Sequence, residues 1–147
     1  MECSIETLTP QPALGIKTQT TIAEIGEKLG QIMAELGPAA GDLATGPVLA
    51  RWHEWETDRG LMEVALPVSE PAPGSGRIEA SELPGGRAVV ATHVGPYATL
   101  KDSWIAVTAW MKEQGLEGTA APWEQYLDDP CTTAPESLRT LIVWPIG

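Results

Sequence analysis

Between positions 20 and 36 the apolar residues Ile22, Ile25, Leu29, Ile32 and Leu36 recur at spacings of three and four, the period of one helical face, which predicts an amphipathic helix. Thr21 and Glu24 fit a capping box at its start, and Gly37 followed by Pro38 supplies a stop. A second helix is predicted over 99–114, with Leu100, Trp104, Val107 and Met111 on its apolar stripe, Thr99 and Asp102 placed to cap it and Gly115 to close it. Ile105 and Trp110 lie off that stripe, which predicts wider burial than for the first helix. Shorter β-branched segments bounded by Gly, Pro and Asp read as strands over 3–9, 13–19, 48–55, 62–68, 78–83, 87–94, 123–127 and 139–146.

This order of elements repeats. Leu36-Gly37 and Gln114-Gly115 lie 78 residues apart, and so do Leu66-Pro67-Val68 and Trp144-Pro145-Ile146; Ile22 and Leu100 obey the same offset. The expectation is a single α+β domain over 1–147, formed by tandem pseudo-symmetric βαββ halves at 1–70 and 78–147 with a turn-rich linker at 71–77. Such halves commonly pair through their sheets, giving an antiparallel sheet with two helices on one face and a central groove suited to a ligand.

Charge narrows the function. Twenty acidic against nine basic residues give a net charge of −11, a field that repels phosphate backbones and anionic lipid, so neither direct nucleic-acid binding nor membrane association is expected. The same field attracts organic cations or a basic protein surface, although solubility alone accounts for it equally well. No apolar run approaches the roughly 20 residues a membrane helix needs, and the first residues lack a secretory signal, so a cytoplasmic location is expected. Cys3 and Cys131 stand far apart and outside any Cys-x-x-Cys or Cys/His cluster; neither a metal nor another cofactor is expected. Six of the eight aromatic residues are Trp and none is Phe, which suggests flat pocket walls as well as core filling.

The most distinctive stretch is Pro122-Trp123-Glu124-Gln125-Tyr126-Leu127-Asp128-Asp129-Pro130. Strand alternation puts Glu124 and Tyr126 on one face and Trp123, Gln125 and Leu127 on the other. A carboxylate inside an otherwise apolar strand costs several kcal/mol to desolvate unless something pairs with it; the alternative is a wetted strand end. In His93-Val94-Gly95-Pro96-Tyr97 the Gly-Pro turn allows Tyr97 to point back over the sheet, and His93, with no partner at metal or triad spacing, reads as structural. In the first half, Trp52 and Glu54 share one strand face and Glu63 interrupts an apolar run, a pattern that also fits edge-strand charges that discourage aggregation. No Gly-x-Ser-x-Gly elbow or phosphate-cradling glycine motif is present, which sets aside serine hydrolysis and nucleotide hydrolysis.

At Leu83-Pro84-Gly85-Gly86-Arg87, His93-Val94-Gly95-Pro96-Tyr97, Trp110, Glu124 to Pro130 and Arg139 to Ile146, the chain resembles the GyrI-like small-molecule-binding family, also found as the effector-binding domain of AraC-type and MerR-type regulators. Ala50-Arg51-Trp52-His53 and Met62 to Val68 look like its corresponding first-half strands. The resemblance implies a groove for flat, hydrophobic, often cationic compounds, with Glu124 as the pocket glutamate and Tyr97, Trp52 and Glu63 at pocket-lining positions; Trp52 stands where Tyr is common. Tyr126, Trp104 and Trp144 complete the candidate ligand-binding set. With no helix-turn-helix in the chain, the expectation is a stand-alone member that sequesters, senses or detoxifies such a ligand. Two alternatives follow from the same resemblance. One is a hydrolase opening cyclopropane rings of DNA-alkylating natural products, with Glu124 as general base and Tyr97 or Tyr126 bonded to the carbonyl that accepts charge. The other is a protein that binds and inhibits DNA gyrase.

Overall fold

The computed structural model describes residues 2–56 and 58–147. Its strands are β1 (Cys3–Leu8), β2 (Gln11–Thr21), β3 (Leu49–Glu56), β4 (Arg59–Pro67), β5 (Glu79–Leu83), β6 (Gly86–Val94), β7 (Trp123–Tyr126) and β8 (Arg139–Pro145), with helices α1 (Ile25–Ala40) and α2 (Leu100–Glu113). The fold is α+β with antiparallel strand pairing, as the alternation and helical periods predict. No helix among the described residues is long and apolar enough to cross a membrane.

The chain forms two compact units, a terminal one made of the residues up to Thr9 with Gly85–Gly147, and a central one made of Pro10–Pro84. In the terminal unit the strand order is β1-β6-β8-β7; in the central unit it is β5-β2-β4-β3. These are not the expected halves 1–70 and 78–147. β1 pairs with β6 and β5 pairs with β2, so the chain passes between units at 9–10 and 84–85, and the segment 71–77 lies inside the central unit. Local chemistry accounts for this. In the two-residue link Pro84-Gly85 the proline stands where both primed hairpin turns need a positive φ that it cannot adopt, and in Thr9-Pro10 that position falls on β-branched Thr9, for which a positive φ is costly. Neither β1–β2 nor β5–β6 folds back on itself.

In the terminal unit, Val89 faces Trp144, Ala91 faces Ile142 and His93 faces Thr140 across β6–β8, while Glu124 faces Ile142 and Tyr126 faces Thr140 across β7–β8. Directly opposed residues share a sheet face, so all of these side chains look the same way. Leu100, Val107 and Met111 of α2 bury against Val89, Ala91 and Ile142 on that face. The end of α2 is the one the sequence predicts: Gly115 takes φ 67°, its N–H reaches the Lys112 carbonyl, and the Leu116 N–H reaches Met111, a Schellman closure.

The central unit has its apolar face at Leu14, Ile16, Met62 and Val64, with α1 packed on β2 and β4 and burying Ile32 and Leu36. Its helix departs from expectation at both ends. Ile22 lies in a 3-10 turn before α1 and is 58% exposed. Thr21 Oγ1 bonds the Glu24 carboxylate and not a backbone N–H, so no capping box forms. The helix also runs through Gly37-Pro38 and stops at Gly41, where φ is 51° and the N–H returns to Gly37. A residue before proline is driven from helical geometry partly by its own Cβ, and Gly37 has none.

Candidate functional site

β7 carries Glu124 into the terminal unit on the face covered by α2. Its side chain is buried, with the residue 7% exposed, and each carboxylate oxygen accepts one hydrogen bond: Oε1 from the Trp104 indole N–H at 2.5 Å and Oε2 from the Tyr126 hydroxyl at 2.8 Å. Both donors are neutral. Burial pushes the Glu124 carboxyl above its ordinary range, opposed by the bonds from Trp104 and Tyr126 and by His93 nearby. Burial also raises the Tyr126 phenol well above its usual value, and the adjacent carboxylate adds to this, so Tyr126 stays a donor.

Each of the two donors packs against a further aromatic ring. Tyr97, 37% exposed, meets Tyr126 edge to face with ring centres 5.6 Å apart, and Trp104 meets Trp144 in the same manner at 5.9 Å. Burial raises the Tyr97 hydroxyl, with Asp128, Asp129 and Glu124 adding to the effect. His93 is committed elsewhere: Nδ1 lies 2.6 Å from Ser103 Oγ on α2, and Nε2 lies 3.2 Å from Thr99 Oγ1. That hydroxyl ties the entry of α2 to the sheet and donates to the Pro96 carbonyl, in place of the expected helix cap. Between His93 and Tyr126 in the register, Thr140 Oγ1 is fully buried and has no hydrogen-bond partner among the described residues.

The structure thus brings Glu124, Tyr126, Trp104, Trp144 and Tyr97 together. Trp52 and Glu63 belong to the central unit and to opposite faces of its sheet. Trp52 opposes Met62 and so shares the Met62 face, whereas Glu63, one residue on, points the other way. The pairing slips by one residue between Trp52 and Glu54, leaving His53 as the extra residue of a β-bulge. Because of this slip Trp52 shares its face with Trp55, ring centres 5.1 Å apart, and not with Glu54 as plain alternation predicts.

Glu63 lies on an interior strand, not an edge, and its charge is spent on neighbours. Arg51 Nη2 approaches Oε1 at 2.8 Å and His53 Nε2 approaches it at 2.7 Å, while Arg51 also reaches Ser81 and the Glu82 carbonyl. Burial works to raise the Glu63 carboxyl, but the bonds from His53, Ser81 and Arg51 and the Arg51 charge outweigh it and hold it below the ordinary range. Gly15 makes room for this group: a Cβ there would stand 2.5 Å from Glu63 Oε2. Arg51 and His53 were legible only as strand residues: alternation puts them on one face, but that Glu63 stands opposite Arg51 is set by the long-range register of β3 on β4. Among the described residues no group of three or more His, Cys, Asp or Glu side chains is arranged to hold a metal.

Comparison with known proteins places this geometry. No curated protein matches the chain by sequence. Among solved structures it is similar to EcmrR in a DNA complex, at 19% identity and a TM-score of 0.85, covering 99% of this chain and 57% of that one. The EcmrR C-terminal domain alone is covered to 97%, with a TM-score of 0.81 and 19% identity. The chain therefore spans little more than half of the longer EcmrR chain. A hydrolase from Listeria innocua matches at 15% identity and a TM-score of 0.67, covering 99% of this chain and 92% of that one. SAV2435, solved with tetraphenylphosphonium bound, matches at 17% identity and a TM-score of 0.72, covering 100% and 94%. At these identities the likeness is one of fold. The family model for the GyrI-like small molecule binding domain matches residues 1–147, and the chain belongs to that family.

Proposed function

We propose that the terminal unit binds hydrophobic organic cations, with Glu124 as the counter-charge and Tyr97, Tyr126, Trp104 and Trp144 as the aromatic surround. The carrying observation is that Glu124 is buried and that its two side-chain donors among the described residues, an indole N–H and a phenol O–H, are both neutral, so its hydrogen bonds are satisfied without a charged donor. A cation at the ring faces gains about 0.5–2 kcal/mol per aromatic in a poorly hydrated site, beyond its attraction to the carboxylate. SAV2435 supplies a fitting probe, since it was solved with tetraphenylphosphonium. A ligand held this way is kept from other targets, which suits sequestration, sensing or detoxification.

The test is a calorimetric titration with tetraphenylphosphonium and with neutral triphenylphosphine oxide. Removing one partner of a buried charge pair costs about 2–5 kcal/mol, so Glu124→Gln should weaken tetraphenylphosphonium by at least about thirtyfold and leave the neutral compound nearly unchanged. Cation binding should also fade as pH drops through the raised Glu124 value, because protonation removes the counter-charge. Equal affinity of wild type and Glu124→Gln for the cation would end this reading.

The raised Glu124 carboxyl beside a phenol donor also favours a second reading, in the direction of the hydrolase neighbour from Listeria innocua. Ionised Glu124 would take a proton from water as its oxygen attacks a cyclopropane carbon, while the breaking C–C bond delivers its electrons to a conjugated carbonyl bonded by Tyr97 or Tyr126. Turnover separates the two readings. Excess cyclopropane-bearing substrate gives a water-added product only if the site is catalytic, and Glu124→Gln then gives none.

We further read the two units as copies of one βαββ repeat with their first strands exchanged, since their strand orders correspond element by element. Under the offset of 78, Ile142 corresponds to Val64 and Thr140 to Met62, so the cross-strand partners Glu124 and Tyr126 correspond to Ala50 and Trp52. In this reading only the terminal copy carries the acidic group.

A further inference from the structure

Trp104 reaches Glu124 from α2, and what fixes the Trp104 ring lies outside the cluster of candidate residues. After α2 the chain returns along the end of β8: Gly118 bridges to Ile146 and the Thr119 N–H donates to the Pro145 carbonyl. This docking lays the backbone at Gly118 on the Trp144 indole. A Cβ at Gly118 would overlap Trp144 Nε1 and stand 2.7 Å from Cδ1 and from Cε2. The Gly118 φ is not in the left-handed region, so glycine serves close approach here and not an unusual backbone angle. The same indole meets Trp104 edge to face at 5.9 Å, and both rings pack against the core formed by Val89, Val107 and Ile142. Such aromatic pairs have preferred geometries and therefore transmit a displacement.

We propose that Gly118 is a positioning residue for the Glu124 site: by admitting the Trp144 ring it sets the Trp104 indole where its N–H meets the carboxylate. The proposal deepens the ligand-binding reading and rests on it only for the ligand arm of the test. Any side chain at 118 displaces the Trp144 ring, and with it the Trp104 indole packed on that ring, and so turns the donor off Glu124 Oε1. Loss of a donor to the ionised form makes that form less favourable. The other titratable groups acting on Glu124 are Tyr126 on its own strand, His93 on β6 and Tyr97 in the turn before α2, whereas the three heavy atoms nearest a Cβ at Gly118 all belong to Trp144.

Two readouts separate this role from simple packing. The first needs no ligand: the Trp104 indole N–H and the Glu124 side-chain carboxyl are followed by NMR from about pH 4 to about pH 9, a span that brackets a raised carboxylate. Gly118→Ala should weaken the indole hydrogen bond and raise the Glu124 midpoint by about one unit, a tenfold change in its proton equilibrium. In a Trp144→Phe background the smaller ring clears the added methyl, and Gly118→Ala should then move the midpoint by less than about a third of that, the coupling a double-mutant cycle detects. Equal shifts in both backgrounds, or an unmoved midpoint in folded Gly118→Ala, would overturn the proposal. Where Gly118→Ala does not fold, Trp144→Phe alone decides: loosening the indole pair should raise the midpoint, and an unchanged value refutes the role. The second readout is tetraphenylphosphonium affinity at a pH near the midpoint, which should fall by up to about tenfold in Gly118→Ala. If wild-type protein ignores tetraphenylphosphonium while the NMR coupling holds, the ligand reading fails and the positioning role stands.

Discussion

The two buried glutamates should respond to the same substitution with opposite signs. Glu63→Gln removes the anion that faces Arg51, whose side chain is only 12% exposed, and leaves a mostly buried guanidinium without its counter-charge. Breaking a buried pair from one side costs about 3–5 kcal/mol, and the residual water access at Arg51 places this case near about 3 kcal/mol. Glu124→Gln keeps acceptor and donor groups for Trp104 and Tyr126 but removes a buried charge whose hydrogen-bond donors are both neutral, so it should stabilise the fold by about 1 kcal/mol, as functional-site substitutions often do. The pH dependence follows. The Glu63 carboxyl lies below its unfolded value, so its contribution is complete above the ordinary carboxylate range and disappears as pH falls through the folded value. The Glu124 carboxyl lies above its unfolded value, so the folded state holds the extra proton and wild type loses stability as pH rises from the ordinary carboxylate value through the raised one. Urea denaturation of wild type and both variants, repeated from acid to neutral pH, measures these differences directly. A Glu124→Gln protein less stable than wild type at neutral pH, or a Glu63→Gln protein within about 0.5 kcal/mol of it, would refute the assignment of one carboxylate to structure and the other to a ligand.

Gly15→Ala should lower stability by about 1–3 kcal/mol in thermal denaturation, because the new methyl meets Glu63 Oε2 at 2.5 Å while Arg51 and His53 hold that carboxylate in place. Thr140→Val, nearly isosteric, should raise stability by about 1 kcal/mol by removing a buried hydroxyl that has no protein partner, with the denaturant midpoint as the check. Gly30→Ala in α1, where an added Cβ meets nothing within 4 Å, should raise the melting midpoint through a gain of roughly 0.5–1 kcal/mol.

What the sequence disclosed follows the range of the physics involved. Helical and strand periods are local, and so is the glycine that closes α2 at Gly115; each was readable from a few neighbouring residues. That Glu124 and Tyr126 share one face follows from alternation and holds in the register with Ile142 and Thr140, whereas alternation left open whether that face was covered or wetted. The pairing of β1 with β6 and of β5 with β2 was hidden because strand partners are chosen by long-range packing, and the prolines at positions 10 and 84 argue only against a tight hairpin without naming the substitute partner. The bulge at His53 was hidden for a related reason. A slip of one residue reverses every later side chain, so Trp55 and not Glu54 joins Trp52, and no composition signal marks the slip. Gly118 was invisible as a functional position because its importance lies in the ring it accommodates, 26 residues away at Trp144.

The abundance of Trp beside a complete lack of Phe gains a specific meaning from Glu124. Satisfying an anion's hydrogen bonds and neutralising its charge are separate operations. Arg51 does both for Glu63 and His53 adds a further hydrogen bond, which leaves that carboxylate with little to offer a third party. Trp104 and Tyr126 do only the first for Glu124, since an indole N–H and a phenol O–H donate without carrying net charge. Phe at position 104 would supply the same apolar wall and leave Oε1 unsatisfied. Indole is the side chain that combines a large stacking surface with a neutral donor, so burying the Glu124 carboxylate with its hydrogen bonds met but without a charged partner favours Trp over Phe at position 104.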